Sequence, residues 1–420
     1  MSVPNAANKR IVSLDQFRGY TVAGMFLVNF LSPFVAAPFV LKHHSSYCSY
    51  ADTIMGNFLF AVGFAFRLSF GRRAIQQGLA QAYWHVLKRL IGLALVAVVV
   101  YQGSPQLPKG AEFNWETMKD LGVWGALSGP LKRDWFQTLM HIAVTSLWIL
   151  PVIRAGAPWR VVYLILSALI HMGLSQAFCM EWVNRDPSGV DGGPLAFLTW
   201  SIPAIIGTLA CDLVMSSRNR VTILGSLFCS GLFLIALGWI ASCGSRCYDV
   251  PDDQVAALQG QRLSASPVIP RQADWIRWSN DLKNGNWAKV LAEPPFVAPP
   301  HSRQANGDKN SDYRKWNYWM MSTRFVTISY AAFVSGLSLI LYAFFIVTSD
   351  LGGLSIRVFR TLGSNALFAY VLHDIVGDAV KKFVPRDAPP VAMWISFAVF
   401  FSICWLFVRS LEKKNIYIKL

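Results

Sequence analysis

Acidic residues are scarce in this 420-residue chain: 23 Asp and Glu stand against 38 Lys and Arg, a formal net charge of +15. The patterns that mark several common enzyme chemistries are missing as well. There is no nucleophile elbow, no glycine-rich loop suited to cradling phosphates and no His/Cys cluster with metal-ligand spacing, so serine-hydrolase, P-loop and zinc-site readings are set aside. No repeat, heptad or low-complexity tract stands out, which excludes solenoids and coiled coils. The N-terminus is short and polar, and the first apolar run has no small-residue cleavage site, which speaks against a cleavable signal peptide. The seven cysteines form no framework. Cys211, Cys229 and Cys404 sit in apolar runs as packing residues. Cys243 and Cys247, in C-G-S-R-C where an apolar run meets a long loop, leave a local disulfide open if that loop is extracytoplasmic.

What the chain has in abundance is apolar length. It is 54% hydrophobic and 14% aromatic, with a mean hydropathy of +0.39, the composition of an all-α, polytopic membrane protein. Ten runs approach the length needed to cross a bilayer: 19–41, 53–70, 86–101, 135–153, 159–179, 194–215, 221–243, 324–347, 358–377 and 391–409. Threading them alternately puts Lys9/Arg10/Arg18, Arg72/Arg73/Lys88/Arg89, Arg154/Arg160, Arg218/Arg220, Arg357/Arg360 and Arg409/Lys413/Lys414/Lys419 on one face. That face is cytoplasmic by the positive-inside rule, with both termini inside. The same asymmetry accounts for much of the net charge, so nucleic acid is not an expected partner and the lipid bilayer is. Residues 1–420 read as one transmembrane domain, with 244–323 a long extracytoplasmic loop between spans 7 and 8. Trp275, Trp278, Trp287, Trp316 and Trp319 in that loop suit either an interfacial belt or stacking on sugar rings.

Polar residues in apolar runs are expensive, about 2.5–3.5 kcal/mol for Asp or Arg at a bilayer centre, and residues 13–63 hold several. Asp15 and Arg18 lie at the inner end of span 1, Asn29 about halfway along it, and His43, His44 and Asp52 at the outer surface. Span 9 also runs outward and brings His373 and Asp374 to a similar depth, with Asn365 below them. His141 and His171 could join this layer but read more simply as packed histidines. A histidine beside carboxylates suits a general base, and a buried Asn amide suits donation to an acyl carbonyl or oxyanion. A phosphate-bearing ligand would find Arg18, Arg72 and Arg73 at the cytoplasmic mouth.

These residues resemble the heparan-alpha-glucosaminide N-acetyltransferase family and related bacterial membrane acyltransferases. Ser13-Leu14-Asp15-Gln16-Phe17-Arg18-Gly19 is similar to that family's S-x-D-x-F-R-G, and Val28-Asn29-Phe30 to its V-N-Y. Lys42-His43 followed by Ala51-Asp52 resembles its K-H…A-D segment, and the F-L-F-A-V-G run at 58–63 its F-x-F-x-x-G. Ser201-Ile202-Pro203-Ala204-Ile205 resembles its T-I-P-A-I run. The stretch from Gly363-Ser364-Asn365 to Tyr370-Val371-Leu372-His373-Asp374 resembles its G-x-N-S-x…Y-x-x-H-E run. The motifs keep family order over most of the chain, and the first block is the most specific. Departures include Ser46-Tyr47-Cys48-Ser49-Tyr50 where the family has G-L-T, Gly56 for a proline, Phe136-Gln137-Thr138 for L-Q-R, and Asp191-Gly192-Gly193-Pro194 for D-P-E-G.

The resemblance implies transfer of acetyl from cytosolic acetyl-CoA to an amine or hydroxyl of an extracytoplasmic sugar or glycan, with no metal. Asn29 and His43 take the reacting positions, with His44 a rival because the loop differs in length. On this reading Asp52 orients the histidine, while His373, Asp374 and Asn365 line the same chamber. Arg18, with Asp15 bracing it, and Arg72 meet the CoA phosphates. Direct transfer and an acyl-histidine route both stay open, as does a homodimer, and a bacterial inner membrane is the expected location. The rival reading is a transporter or flippase of a sugar-linked substrate with a His/Asp proton relay.

Overall fold

A computed structural model describes residues 11–44, 47–105, 107, 110–184, 188–244, 268–269, 272–297 and 317–417. The described chain is helical throughout and contains no strand. Cys247 and Trp316 lie outside the described residues, so the Cys243–Cys247 pairing does too.

The helices are α1 (Val12–Leu31), α2 (Tyr50–Gln77), α3 (Leu79–Tyr101), α4 (Trp115–Gly129) and α5 (Thr138–Ile149). They continue with α6 (Ala157–Leu174), α7 (Met180–Asn184), α8 (Phe197–Val214), α9 (Arg220–Gly244), α10 (Gln272–Lys283) and α11 (Trp287–Val290). The last are α12 (Ile328–Phe345), α13 (Arg357–Ser364), α14 (Ala366–Lys381) and α15 (Pro390–Lys413). Among the described residues seven helices are long and apolar enough to cross a membrane, or eight if a pair around Asp134 bent by 92° is one span. This is the helix set of a polytopic membrane protein.

Three of the ten expected spans depart from expectation: 135–153 holds only the 12-residue α5, part of the bent pair, and the first and ninth are interrupted. The first stops at Leu31 rather than running to 41. Pro33 and Pro38 lack the N–H a continuing helix would need, and the chain turns through 32–38 into one short 3-10 turn at Phe39–Leu41. The ninth is broken into α13 and α14 at Asn365, whose backbone (φ −126°, ψ 46°) is not helical. The expected 102–134 loop also contains α4, interrupted at Gly122 with φ 62°.

The burial pattern separates an inner from an outer set. The most apolar window of α8 is 72% buried, whereas those of α3 and α9 are 22% buried and turn most of their surface outward. The inner helices approach closely through small residues, the packing mode that works where lipid supplies no hydrophobic contrast. A β-carbon on Gly19 would collide with the Phe359 carbonyl, and one on Gly363 with that of Asp15, so α1 and α13 touch backbone to backbone. Gly63 and Gly207 do the same between α2 and α8.

The opening Ser-Leu-Asp-Gln-Phe-Arg-Gly block is partly a docking motif for the 350–363 segment. Asp350 caps α1, receiving the Ser13 backbone N–H at 3.0 Å and its hydroxyl at 2.6 Å. The Gln16 amide pairs with the Ile356 backbone, accepting its N–H at 3.0 Å and donating to its carbonyl at 3.2 Å. Phe17 stacks edge-on against Phe60, Tyr342 and Phe345. Toward the same end of the bundle, Asp212 on α8 receives both Arg67 of α2 and Arg160 of α6, while Arg67 also donates to the Ile153 carbonyl.

Candidate active site

At the opposite end of the bundle, polar side chains from seven segments line a cavity of about 390 Å³. Its first wall is built by the N-terminus of α2. Ser49 caps that helix: its backbone N–H donates to Asp52 Oδ2 at 2.9 Å, and its hydroxyl accepts the Asp52 N–H at 3.3 Å. This reciprocal cap holds the fully buried Asp52 carboxylate in one orientation. The Ser49 hydroxyl also lies 2.8 Å from Oδ2. Asp52 Oδ1 receives the Thr323 hydroxyl at 2.8 Å and His43 Nδ1–H at 3.0 Å. The Tyr330 hydroxyl donates to the Asp52 carbonyl at 2.6 Å, securing the turn from below.

His43 therefore carries its proton on Nδ1 and presents Nε2, which has no partner among the described residues, on a ring that is 53% exposed. Burial opposes the imidazolium, but the hydrogen bond to Asp52, its charge and that of Asp191 outweigh this, so the His43 pKa lies above its ordinary value. Its neighbour is disposed differently. His44 Nε2 lies 3.0 Å from the Phe39 carbonyl, and the ring packs on Tyr47 with centroids 4.4 Å apart. Both nitrogen geometry and stacking tie His44 into the loop, although it also borders the cavity.

The second wall comes from α1 and α14. His373 Nδ1 donates to the Tyr370 carbonyl. In the neutral ring Nε2 is then an acceptor, and it meets the Asn29 amide nitrogen at 3.1 Å. Asp374 Oδ1 is 3.2 Å from the same Nε2. Phe26 stacks on the His373 ring, 5.6 Å away and 10° from parallel, and Lys381 donates to the Asn29 carbonyl at 3.2 Å. Above them the Tyr101 and Tyr370 hydroxyls are 2.6 Å apart, and Tyr101 accepts the Leu139 N–H. Asn29, Tyr370 and Asp374 line the cavity; His373 stands behind Asn29 and is 3% exposed.

The structure thus brings Asn29, His43, His44, Asp52, His373 and Asp374 into one neighbourhood. Asn365 does not join them: it is buried at the break before α14 and donates to the Ile416 carbonyl at 3.1 Å. Its place is structural, a correction to the expected chamber role that follows from the broken helix. Asp15, Arg18 and Arg72 are not cavity residues either, and lie toward the basic end. There Arg18 and Arg73 lie within electrostatic reach of Arg89, and Arg67, Arg72 and Arg160 within reach of Cys211. His171 meets the Tyr318 hydroxyl at 3.1 Å and His141 is fully buried; neither lines the cavity. Among the described residues no group of three His, Cys, Asp or Glu is arranged to hold a metal ion.

Several lining residues were not expected in the site, among them Tyr101, Arg133, Asp191, Thr323 and Arg324. Asp191 arrives from the loop between α7 and α8 with φ 50°, a left-handed backbone uncommon outside glycine. Its carboxyl is pushed up to about 6, first by burial and then by the charge of Asp52, with His43 opposing. The available signal was the acidic 181–193 loop and its Asp-Gly-Gly turn. Gln137 and Thr138 line the same space. No protein-family model and no curated protein matches this chain.

Proposed function

We propose that this protein is a membrane acetyltransferase that takes acetyl from acetyl-CoA at its basic, cytoplasmic end and delivers it to an amine or hydroxyl of an extracytoplasmic sugar or glycan. The observation that carries the reading is His43: Nδ1 is held by a buried carboxylate, and Nε2 is open to a cavity that also contains the Asn29 amide. That arrangement suits a general base opposite an acyl-polarising donor.

In this reading the acceptor X–H loses its proton to His43 Nε2 as X attacks the thioester carbonyl carbon. The developing oxyanion receives an N–H of Asn29, whose amide is steadied by His373. The C–S bond then breaks, and the departing CoA thiolate takes the proton from the His43 imidazolium, leaving acetyl-X and CoA-SH. Asp52 keeps the imidazole in the Nδ1–H tautomer and stabilises its charged form. Arg18, Arg73 and Arg89 meet the phosphates, with Arg72 beside them. Eleven positions separate Arg18 from Asn29, about 16 Å of helix, so the donor lies along α1 with its thioester toward Asn29. The finer topology belongs to the same proposal: ten spans, both termini cytoplasmic, in a bacterial inner membrane.

The test is release of CoA and transfer of label from radiolabelled acetyl-CoA to a glycan panel by purified protein in vesicles. Transfer that is lost in His43→Ala and retained in His44→Ala supports the reading. Uptake of a labelled sugar without CoA release would instead favour the transporter.

A further inference from the structure

A cavity that joins donor to acceptor needs something to hold the acceptor, and the groups already assigned are otherwise engaged. Asp52 is occupied by Ser49, Thr323 and His43. Asn29 and Asp374 share the His373 ring. The Asp191 carboxylate differs from these: it lines the cavity and has no hydrogen-bond or ion-pair partner among the described residues. Its charge acts on His43 on one wall and on Tyr101 and Tyr370 on the other, which puts it between the two halves of the site.

The loop around it is fixed rather than slack. The Trp200 indole N–H donates to the Asp191 carbonyl at 3.1 Å, Gly192 N–H to the Arg324 carbonyl at 2.8 Å, and Gly193 N–H to the Val190 carbonyl at 3.1 Å. Asp191 takes its positive φ of 50° within the Asp-Gly-Gly turn and borders the cavity there.

We propose that Asp191 is the acceptor-binding carboxylate, receiving a hydrogen bond from the acceptor and holding its reactive amine or hydroxyl against His43 Nε2. This rests on the acetyl-transfer reading and adds to it the residue that touches the acceptor. Asp191 takes no part in the bond changes; the proton still passes to His43 and on to the CoA thiolate.

Asp191→Asn and Asp191→Gly are suitable variants because Asn and Gly tolerate the left-handed backbone. D-glucosamine and D-glucose serve as acceptor probes with labelled acetyl-CoA. We expect the KM for whichever sugar the wild type acetylates to rise more than tenfold in both variants. The KM for acetyl-CoA should hold and the melting temperature should not fall, and Asp191→Glu should recover part of the loss. An unchanged sugar KM in Asp191→Asn, with His43→Ala inactive, overturns this assignment and leaves the acetyl-transfer reading standing. A fall in melting temperature shared by both variants, with both KM values rising together, overturns it in favour of a purely structural role. If the wild type acetylates neither sugar, the sugar-acceptor reading and this inference fall together.

Discussion

Replacing Asp52 with Asn keeps the side chain's shape and removes its charge, which makes it the sharpest perturbation of the proposed dyad. Oδ2 faces a backbone N–H, that of Ser49, which cannot reverse its polarity. Oδ1 faces the Thr323 hydroxyl and His43 Nδ1, which can, and at 3.4 Å the His44 backbone N–H, a longer bond than the 2.9 Å one that Ser49 makes to Oδ2. The new amide is therefore expected to keep its oxygen toward Ser49 and turn its NH₂ toward His43. His43 answers by accepting on Nδ1 and moving its proton to Nε2, so the nitrogen that faces the cavity becomes a donor and can no longer take a proton. The equivalent change in serine proteases lowers kcat about 10⁴-fold through the wrong tautomer, and a loss of about 10³–10⁴ in acetyl transfer is expected here. The cost in stability is that of one charge-assisted hydrogen bond, about 1.5–3 kcal/mol. Asp52→Ala, which strands the buried donors, should cost about 3–5 kcal/mol. Turnover of labelled acetyl-CoA and melting temperature in detergent read the two effects separately. Wild-type turnover in a folded Asp52→Asn protein would refute the assignment of His43 as an Asp52-oriented base.

Activity should rise with pH along a limb centred above the ordinary histidine value of about 6.5, because the raised His43 pKa keeps the base protonated longer; pH–rate profiles check this. The same direction has a consequence for folding. Stability from charged His43 is fully present below its unfolded pKa and is lost as pH rises through the higher folded one, and Asp191, raised to about 6, loses stability as pH climbs from about 4 toward 6. Melting curves should accordingly be higher at pH 5 than at pH 8 in wild type, with a smaller difference in Asp191→Asn. Gly19→Ala should lower stability by about 1–3 kcal/mol by forcing α1 from α13, whereas Gly71→Ala, with open space around it, should be neutral or slightly stabilising. Asp212→Asn should cost about 1.5–3 kcal/mol by weakening the charge-assisted bonds of buried Arg160 to a carboxylate that is itself partly exposed, read as a loss of melting temperature and folded yield.

Much of the helix layout is legible in the sequence because apolar length is a one-dimensional signal. The expected runs at 221–243 and 391–409 lie inside helices Arg220–Gly244 and Pro390–Lys413. The end of α1 was readable too, since Pro33 and Pro38 are in plain view, but apolar content drew the span past them. The break at Asn365 has no proline to announce it. It depends on tertiary bonds such as that to Ile416, and no local pattern encodes those. Within the site, span direction alone puts His373 level with the outer histidine pair and Asn29 deeper, whereas the Asn29 amide and the His373 ring are 3.1 Å apart. The choice between His43 and His44 could not be read because it turns on the Phe39 carbonyl, five residues from His44 and brought back by the turn. Asp191 was hidden for a similar reason: nothing in an Asp-Gly-Gly turn says which cavity its carboxylate will enter.

The docking of α1 along residues 350–381 has a mechanical meaning. The helix is bolted at its foot by Asp350 and Gln16, welded along its length at Gly19 and Gly363, and latched near its head by Asn29 to His373. These contacts tie the foot of the helix and the cavity-facing amide to one continuous segment of partner backbone. If ligands at the two ends each favoured one position of this strut, each would change the affinity of the other by the same factor.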